Sequence, residues 1–276
     1  MNLKNNLHAI LRSFISETLL QKQLYFFRKG MLLLCLSQLI YYSYYSSFFF
    51  SASFVPPKPV SGYGLHTFLH LLSHPIFKDS AFVFLVGGVF SIFLLAINKF
   101  THLCSFLLWF TISNLHHRVY FSLTGGDVLA EQLLFLLIFV SNKKQPAYFE
   151  KILHNTASLG LILQVVFVYL FSAWYKWLDP SWLSGEAIGF VAQLPAYSNY
   201  VGSWILSFPL VYIPLTYSIL IFQTLFPLFI FFRRTKLLWI WIGIFIHLGI
   251  AVFMGLYFFS SIMIICYLLF TESKKV

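Results

Sequence analysis

Charge is scarce in this sequence: 9% of its 276 residues are charged, and 8 acidic side chains stand against 18 Lys and Arg. A water-soluble domain carries about 25% charged residues to cover its surface, so a globule in water is excluded over most of the chain. Cysteine is scarce too. Cys35, Cys104 and Cys266 stand alone inside apolar runs with no CxxC spacing, and read as small buried hydrophobes rather than redox or metal groups. No phosphate loop, nucleophile elbow or zinc signature occurs, and no polar block is long enough to fold separately. There is no internal repeat and no pair of Gly/Pro-broken helices in matching halves, which speaks against a transporter.

What fills the chain is apolar. Hydrophobic residues make up 59% and aromatics 21%, with 34 Phe, and the mean hydropathy is +0.82. Near-continuous apolar runs fall at roughly 30–50, 80–98, 101–123, 129–142, 155–177, 209–232, 237–253 and 256–271. Runs of about 20 such residues suit a bilayer crossing. The pattern predicts an all-α fold, a polytopic transmembrane helix bundle of about eight spans (roughly seven to nine), with no sizeable soluble domain. The last two runs read equally as one pair broken near Met254-Gly255.

The net charge of +10 is tempting as a nucleic-acid signal, but its placement follows topology. Lys4, Arg12, Lys22, Arg28 and Lys29 come first, then Lys99, then Lys143, Lys144 and Lys151, then Arg233, Arg234 and Lys236, then Lys274 and Lys275. These lie on every second connection; Lys58, Lys78, Arg118 and Lys176 fall elsewhere. The positive-inside rule then predicts an even number of spans and both termini in the cytoplasm. The partner so implied is the lipid bilayer, with no nucleic acid. Three segments follow: a cytoplasmic amphipathic N-terminal segment (1–29), a transmembrane bundle (30–271) and a cytoplasmic tail (272–276). Mixed residues precede the first apolar run, which argues against a secretory signal. Leu7, Ile10, Leu11, Phe14, Ile15 and Leu19 instead recur at helical spacing, as for a helix on the inner leaflet. In 51–79, His66, His70 and His74 share a helical face, but no acidic or Cys residue continues that spacing. An interfacial helix is expected there, and no metal is predicted.

Ionisable groups inside spans are costly and mark sites. The third run ends in Asn114, His116, His117 and Arg118, followed by Gly125-Gly126-Asp127. On a helix Asn114, His117 and Arg118 share a face and could line one cavity; alternatively Arg118 snorkels outward and the histidines sit at headgroups. Lys176 lies at the outer end of the fifth run, on the side where lysines are scarce, before Asp179-Pro180-Ser181, which reads as a turn opening a short helix. His247 lies within the seventh. Topology carries Arg118, Asp127, Lys176 and His247 to the outer half of the bundle.

Three pieces in order resemble one family. Tyr169-Leu-Phe-Ser-Ala-Trp-Tyr-Lys176 followed by Trp182-Leu-Ser-Gly185-Glu-Ala187, Asn114 followed by Gly125-Gly126-Asp127, and His247-Leu-Gly-Ile-Ala followed by Phe258-Phe259 and Met263 resemble the motifs of the HTTM superfamily. Its best-known member is vitamin K-dependent gamma-glutamyl carboxylase, and its short bacterial members include the sporulation-delaying toxin membrane component. The resemblance covers about residues 25 to 270 and implies quinol-dependent chemistry in the outer membrane half. It casts Lys176 as the catalytic base, with water withheld by Trp174, Tyr175 and Trp177. His116 or His117 would bind a quinol oxygen or an anion, and His247 would act from the opposite wall. Asn114, Arg118, Asp127, Trp182 and Gly185 are the accompanying substrate or motif positions. The implied cofactor is a quinol such as menaquinol or vitamin K hydroquinone, and the implied place a multi-pass protein of the bacterial cell membrane.

Aligned backward from Trp182, the carboxylase lysine falls on Trp177, beside Lys176, unless one residue is inserted; the short bacterial members of the family tolerate the six-residue Lys-to-Trp spacing that this sequence has. The sequence stops at Val276 without a counterpart of the carboxylase's large extracytoplasmic domain, and a small secreted peptide is the expected partner. Two readings stand: a carboxylase-like quinol- or lipid-dependent enzyme modifying such a peptide, or a non-enzymatic membrane accessory for its maturation, export or immunity.

Overall fold

A computed structural model describes residues 17–51, 71 and 80–271. Most of the first expected segment, the tail 272–276 and the three histidines His66, His70 and His74 lie outside the described residues. All elements among the described residues are helical. They are α1 (Gln21–Tyr44), α2 (Ser46–Phe49), α3 (Ala81–Ala96), α4 (Thr101–Arg118), α5 (Gly125–Leu137), α6 (Tyr148–Leu178), α7 (Pro180–Leu183), α8 (Ala187–Ala192), α9 (Tyr200–Ile205), α10 (Pro209–Phe229), α11 (Lys236–Met254) and α12 (Tyr257–Cys266), with 3₁₀ turns at Tyr120–Ser122 and Tyr267–Phe270.

Each apolar run holds a helix, but α1, α6, α10 and α11 are the four long and apolar enough to cross a membrane. The rest fall short for physical reasons. Helix α3 has 16 residues and α5 has 13; at 1.5 Å per residue they rise about 24 and 20 Å, against a hydrocarbon core of about 30 Å. Helix α4 has 18 residues, but its second half carries Thr111, Ser113, Asn114, His116, His117 and Arg118. The last two runs hold two helices with the break at the expected place: α11 ends on Gly255 in a left-handed conformation, and α12 starts at Tyr257.

The chain forms two compact units, Met1–Gly160 and Leu161–Val276, with the boundary inside α6. In the first unit, α3 packs on α1 and α4 through Gly88, where a Cβ would stand 2.8 Å from Leu39 Cδ1 and 3.0 Å from Thr111 Cγ2. Close approach at small residues is how helices associate where lipid removes the hydrophobic drive between them.

Open helix ends are costly in themselves, because the last carbonyls have no partner within the helix. Basic side chains meet that need at one end of this unit. Arg28 Nη2 donates to Leu137 O at 3.2 Å and Val140 O at 2.7 Å, at the end of α5, and Nη1 donates to Asn142 Oδ1. Lys29 Nζ donates to Ala96 O at 2.7 Å, the last residue of α3, and His102 Nδ1 meets Ile138 O at 2.6 Å. The connections that carry basic residues are thus drawn together. Their charge also complements the negative ends of α3 and α5.

Beside this end, Asn155 Oδ1 accepts from Leu19 N at 2.8 Å and Nδ2 donates to Glu17 O at 2.7 Å, while His154 Nε2 donates to Leu19 O at 2.9 Å. Ser141 N donates to His154 Nδ1 at 3.2 Å, which fixes the imidazole with its proton on Nε2. Asn155 and His154 are buried, so the entry into α1 is clamped to the first turns of α6.

Candidate functional site

In the first unit the polar candidates of α4 and α5 meet Gln38 of α1. The Gln38 amide donates to Asp127 Oδ1 at 2.7 Å and to His116 Nε2 at 2.9 Å, with Tyr42 Oη at 3.3 Å from the same nitrogen. With its Nε2 accepting, His116 carries its proton on Nδ1, which lies 3.4 Å from Glu131 Oε2 without hydrogen-bond alignment. Glu131 Oε1 accepts from Ser113 Oγ at 2.7 Å. The other Asp127 oxygen caps α5, accepting from Thr124 N at 2.6 Å and Thr124 Oγ1 at 2.7 Å. His116 is 1% exposed and sits between carboxylates placed i, i+4 on α5.

The four neighbours at the end of α4 diverge. Asn114 is buried, accepting from Leu71 N at 2.8 Å and donating to Phe110 O at 3.0 Å. His117 is half-buried and turns back to Ser113 O at 2.7 Å, so His116 is the enclosed member of the histidine pair. Arg118 does not snorkel; it is 1% exposed and donates to Phe50 O at 3.2 Å.

The second unit holds the lysine motif. Lys176 Nζ donates to Ser172 Oγ at 2.7 Å, one helical turn back, and Ser172 Oγ donates to Gln223 Oε1 of α10 at 3.1 Å. The ammonium lies 4.7 Å from the centre of the Trp182 ring. Among the described residues no carboxylate pairs with it. The expected shield is different: Trp174, Tyr175 and Trp177 are exposed, because residues one and two positions away on a helix point elsewhere. Trp182 is brought back by a tight turn. Asp179 accepts from Ser181 N at 2.9 Å and Ser181 Oγ at 2.7 Å, and Pro180 opens α7. The same hydrogen bonds from Ser181 hold the Asp179 carboxyl below its ordinary range. Gly185 ends the turn at φ +84°, with Tyr217 Cε2 3.0 Å and Ile213 Cγ2 3.2 Å from where a Cβ would stand. Only glycine combines that backbone with that contact.

His247 occupies another level of this unit. Its Nε2 meets Tyr169 Oη at 2.9 Å, and Tyr169 Oη meets Tyr267 Oη at 2.5 Å; all three residues are buried. Rings of Phe222 and Phe226 flank Tyr169, and Phe259 lies on His247. Tyr169 precedes Lys176 by seven residues, about 10 Å along α6. His247 therefore serves a buried tyrosine pair and not the lysine. Asn114, His116, His117, Arg118 and Asp127 belong to the first unit, Lys176, Trp182, Gly185 and His247 to the second.

Gln38, Glu131, Gln223 and Tyr267 carry these clusters and are absent from the sequence-based expectation, in which Tyr169 and Ser172 stand only as letters of the lysine motif. A census of every polar group inside the apolar runs would have raised Gln38 and Glu131. Tyr169 and Tyr267 look like ordinary aromatic residues until their hydroxyls are seen to meet. Among the described residues no three His, Cys, Asp or Glu side chains are grouped to hold a metal ion. Comparison with protein-family models, curated proteins and solved structures finds no match.

Proposed function

We propose that the chain is a multi-pass membrane enzyme in which Lys176 acts as base on a quinol- or lipid-like substrate, the chemistry that the HTTM resemblance implies. In this reading α1, α3, α4, α5, α6, α10, α11 and the α12 run each traverse or enter the bilayer, with both termini cytoplasmic. One observation carries it: the Lys176 ammonium, at the end of a 31-residue helix apolar enough to cross a membrane, is held by a hydroxyl and an indole face rather than by a carboxylate. A lysine tied to a carboxylate is fixed as a cation, whereas this one is free to cycle between amine and ammonium.

A quinol is the cofactor that the resemblance implies. When bound, a quinol supplies a phenolic proton and reducing electrons. Lys176 Nζ would receive the proton on its lone pair, and the Trp182 face would stabilise the new ammonium by about 0.5–2 kcal/mol. Ser172 positions Nζ, and Gln223 fixes the Ser172 hydroxyl as donor to itself, leaving its oxygen to accept from Nζ. A small secreted peptide would be the final acceptor of the chemistry. The engagement of His247 with Tyr169 and Tyr267 favours the second reading, a non-enzymatic accessory to such a peptide, because it leaves Lys176 without a histidine partner.

Anaerobically prepared menaquinol, added to purified protein in detergent and exposed to oxygen, separates these readings. Wild type should consume quinol faster than the empty detergent control. Lys176→Ala and Lys176→Arg should fall to that control while keeping wild-type circular dichroism. Equal turnover in either variant, or none in folded wild type, would overturn the enzyme reading.

A further inference from the structure

The Arg118 guanidinium is the most exposed contradiction in the first unit: a permanent charge, 1% accessible, at the last residue of α4. Its Nη2 donates to Phe50 O, and its Nε and Nη1 meet no acceptor. Among the described residues it has no carboxylate partner. The nearest acidic groups along α5 are engaged elsewhere, Asp127 by Gln38 and Thr124, Glu131 by Ser113 and His116. Buried charges in proteins are paired, because desolvating an ion without a counter-charge is far costlier than any single hydrogen bond returns. Arginine is moreover the residue whose planar donors match phosphate oxygens.

A second feature of the same unit supplies the rest of a ligand. Between α1 and α3 runs a groove of about 750 Å³ lined by Leu39, Ile40, Tyr44, Phe82, Val86 and Phe90, among others, with Ser43 its one hydroxyl apart from Tyr44. Small-molecule pockets span about 300–1,000 Å³, so the groove has room for part of an acyl chain. Leu39, Gly88 and Thr111 lie at one level. From there Tyr44 is five residues on along α1 and Arg118 seven along α4, rises of about 8 and 10 Å. Tyr44, at one end of the groove, thus lies at about the level of Arg118 along the helices, and the groove walls Phe82, Val86 and Phe90 are exposed to whatever surrounds the helices.

We propose that the first unit binds one anionic phospholipid, its phosphate on Arg118 and an acyl chain in the α1–α3 groove. Charge complementarity selects an anionic head over a zwitterionic one, because a head that brings its own ammonium leaves the guanidinium uncompensated. The apolar lining selects a lipid over a free phosphate. The site is independent of Lys176, and its test does not require that the chain be an enzyme.

The experiment is native mass spectrometry of the full chain released from nanodiscs of phosphatidylcholine containing a minor fraction of phosphatidylglycerol. Wild type should retain one phosphatidylglycerol in preference to phosphatidylcholine. Arg118→Gln should lose that preference by at least about tenfold, as removal of a charged hydrogen bond requires, and Arg118→Lys should keep part of it. Val86→Trp, on the exposed groove wall, fills the tail site without touching Arg118 and should also release the lipid, which guards against misfolding of the arginine variant. Retention unchanged in Arg118→Gln or in Val86→Trp, or no preference in wild type, would overturn the proposal. So would displacement of the lipid by inorganic phosphate, which would mark a site for small anions.

Discussion

Gly243 is the test of whether the Tyr169–Tyr267–His247 chain organises the second unit. A Cβ at this position would overlap Tyr267 Oη and Cζ, and would stand 3.0 Å from Phe222 Cζ. Tyr267 cannot swing aside cheaply. It is 2% exposed, its ring sits 5.8 Å from Phe226 and 6.1 Å from His247, and its hydroxyl is 2.5 Å from that of Tyr169. Gly243→Ala must therefore repack a full core, at about 1–3 kcal/mol, and break a buried hydroxyl pair, at about 1–3 kcal/mol more. Against this stands about 1 kcal/mol gained from the better helix former. The net loss is about 1–5 kcal/mol, which lowers the melting temperature by roughly 2–20 °C. Thermal unfolding in detergent, followed by circular dichroism, measures it. The control is Gly87→Ala in α3, where a Cβ would meet no heavy atom within 4 Å; it should hold or raise the melting temperature. If Gly243→Ala melts with the control, the hydroxyl chain is not what fixes α11 against the Tyr267 turn, and the reasoning fails.

Gln38→Leu removes the donor of both Asp127 and His116 in a buried place, and should destabilise by about 2–5 kcal/mol; the same melting experiment reads it, and a variant as stable as wild type would show that the cluster is solvated. Asn155→Ala frees Leu19 N–H and Glu17 O, and should speed hydrogen exchange at Leu19 by roughly 10- to 100-fold while the amides at the centre of α6 keep their protection; mass spectrometry of peptides covering residues 17–24 decides it.

The helices themselves were legible because an apolar run needs no partner to be recognised: every run in the sequence holds a helix, down to the break at Gly255. Length was less legible. Counting apolar residues merges a helix with its flanking turns, so 80–98 shrinks to the 16 residues of α3 and 129–142 lies across the 13-residue α5 and the turn beyond it. The turn chemistry at Asp179-Pro180-Ser181 could be read from local residues alone, and it came out as expected.

The candidate sites were legible only as to which residues are costly, not as to what they meet. Three aromatic residues adjacent to Lys176 in sequence pointed to its shield, yet helical geometry turns them outward and hands the place to Trp182, six residues on and returned by Gly185. Arg28 and Lys29 read as charges that set topology, and they prove to be the hydrogen-bond donors that close α5 and α3. The two roles come from one cause. Where lipid supplies no water, a helix end and a cation each need a partner, and placing them together satisfies both. Arg118 is a buried basic residue at a helix end that breaks this pairing: one carbonyl accepts from it, and Nε and Nη1 are left over. If the rule that accounts for Arg28 and Lys29 is sound, the remaining donors of Arg118 need an acceptor beyond the described residues, and the lipid-retention experiment tests that rule as much as it tests the site.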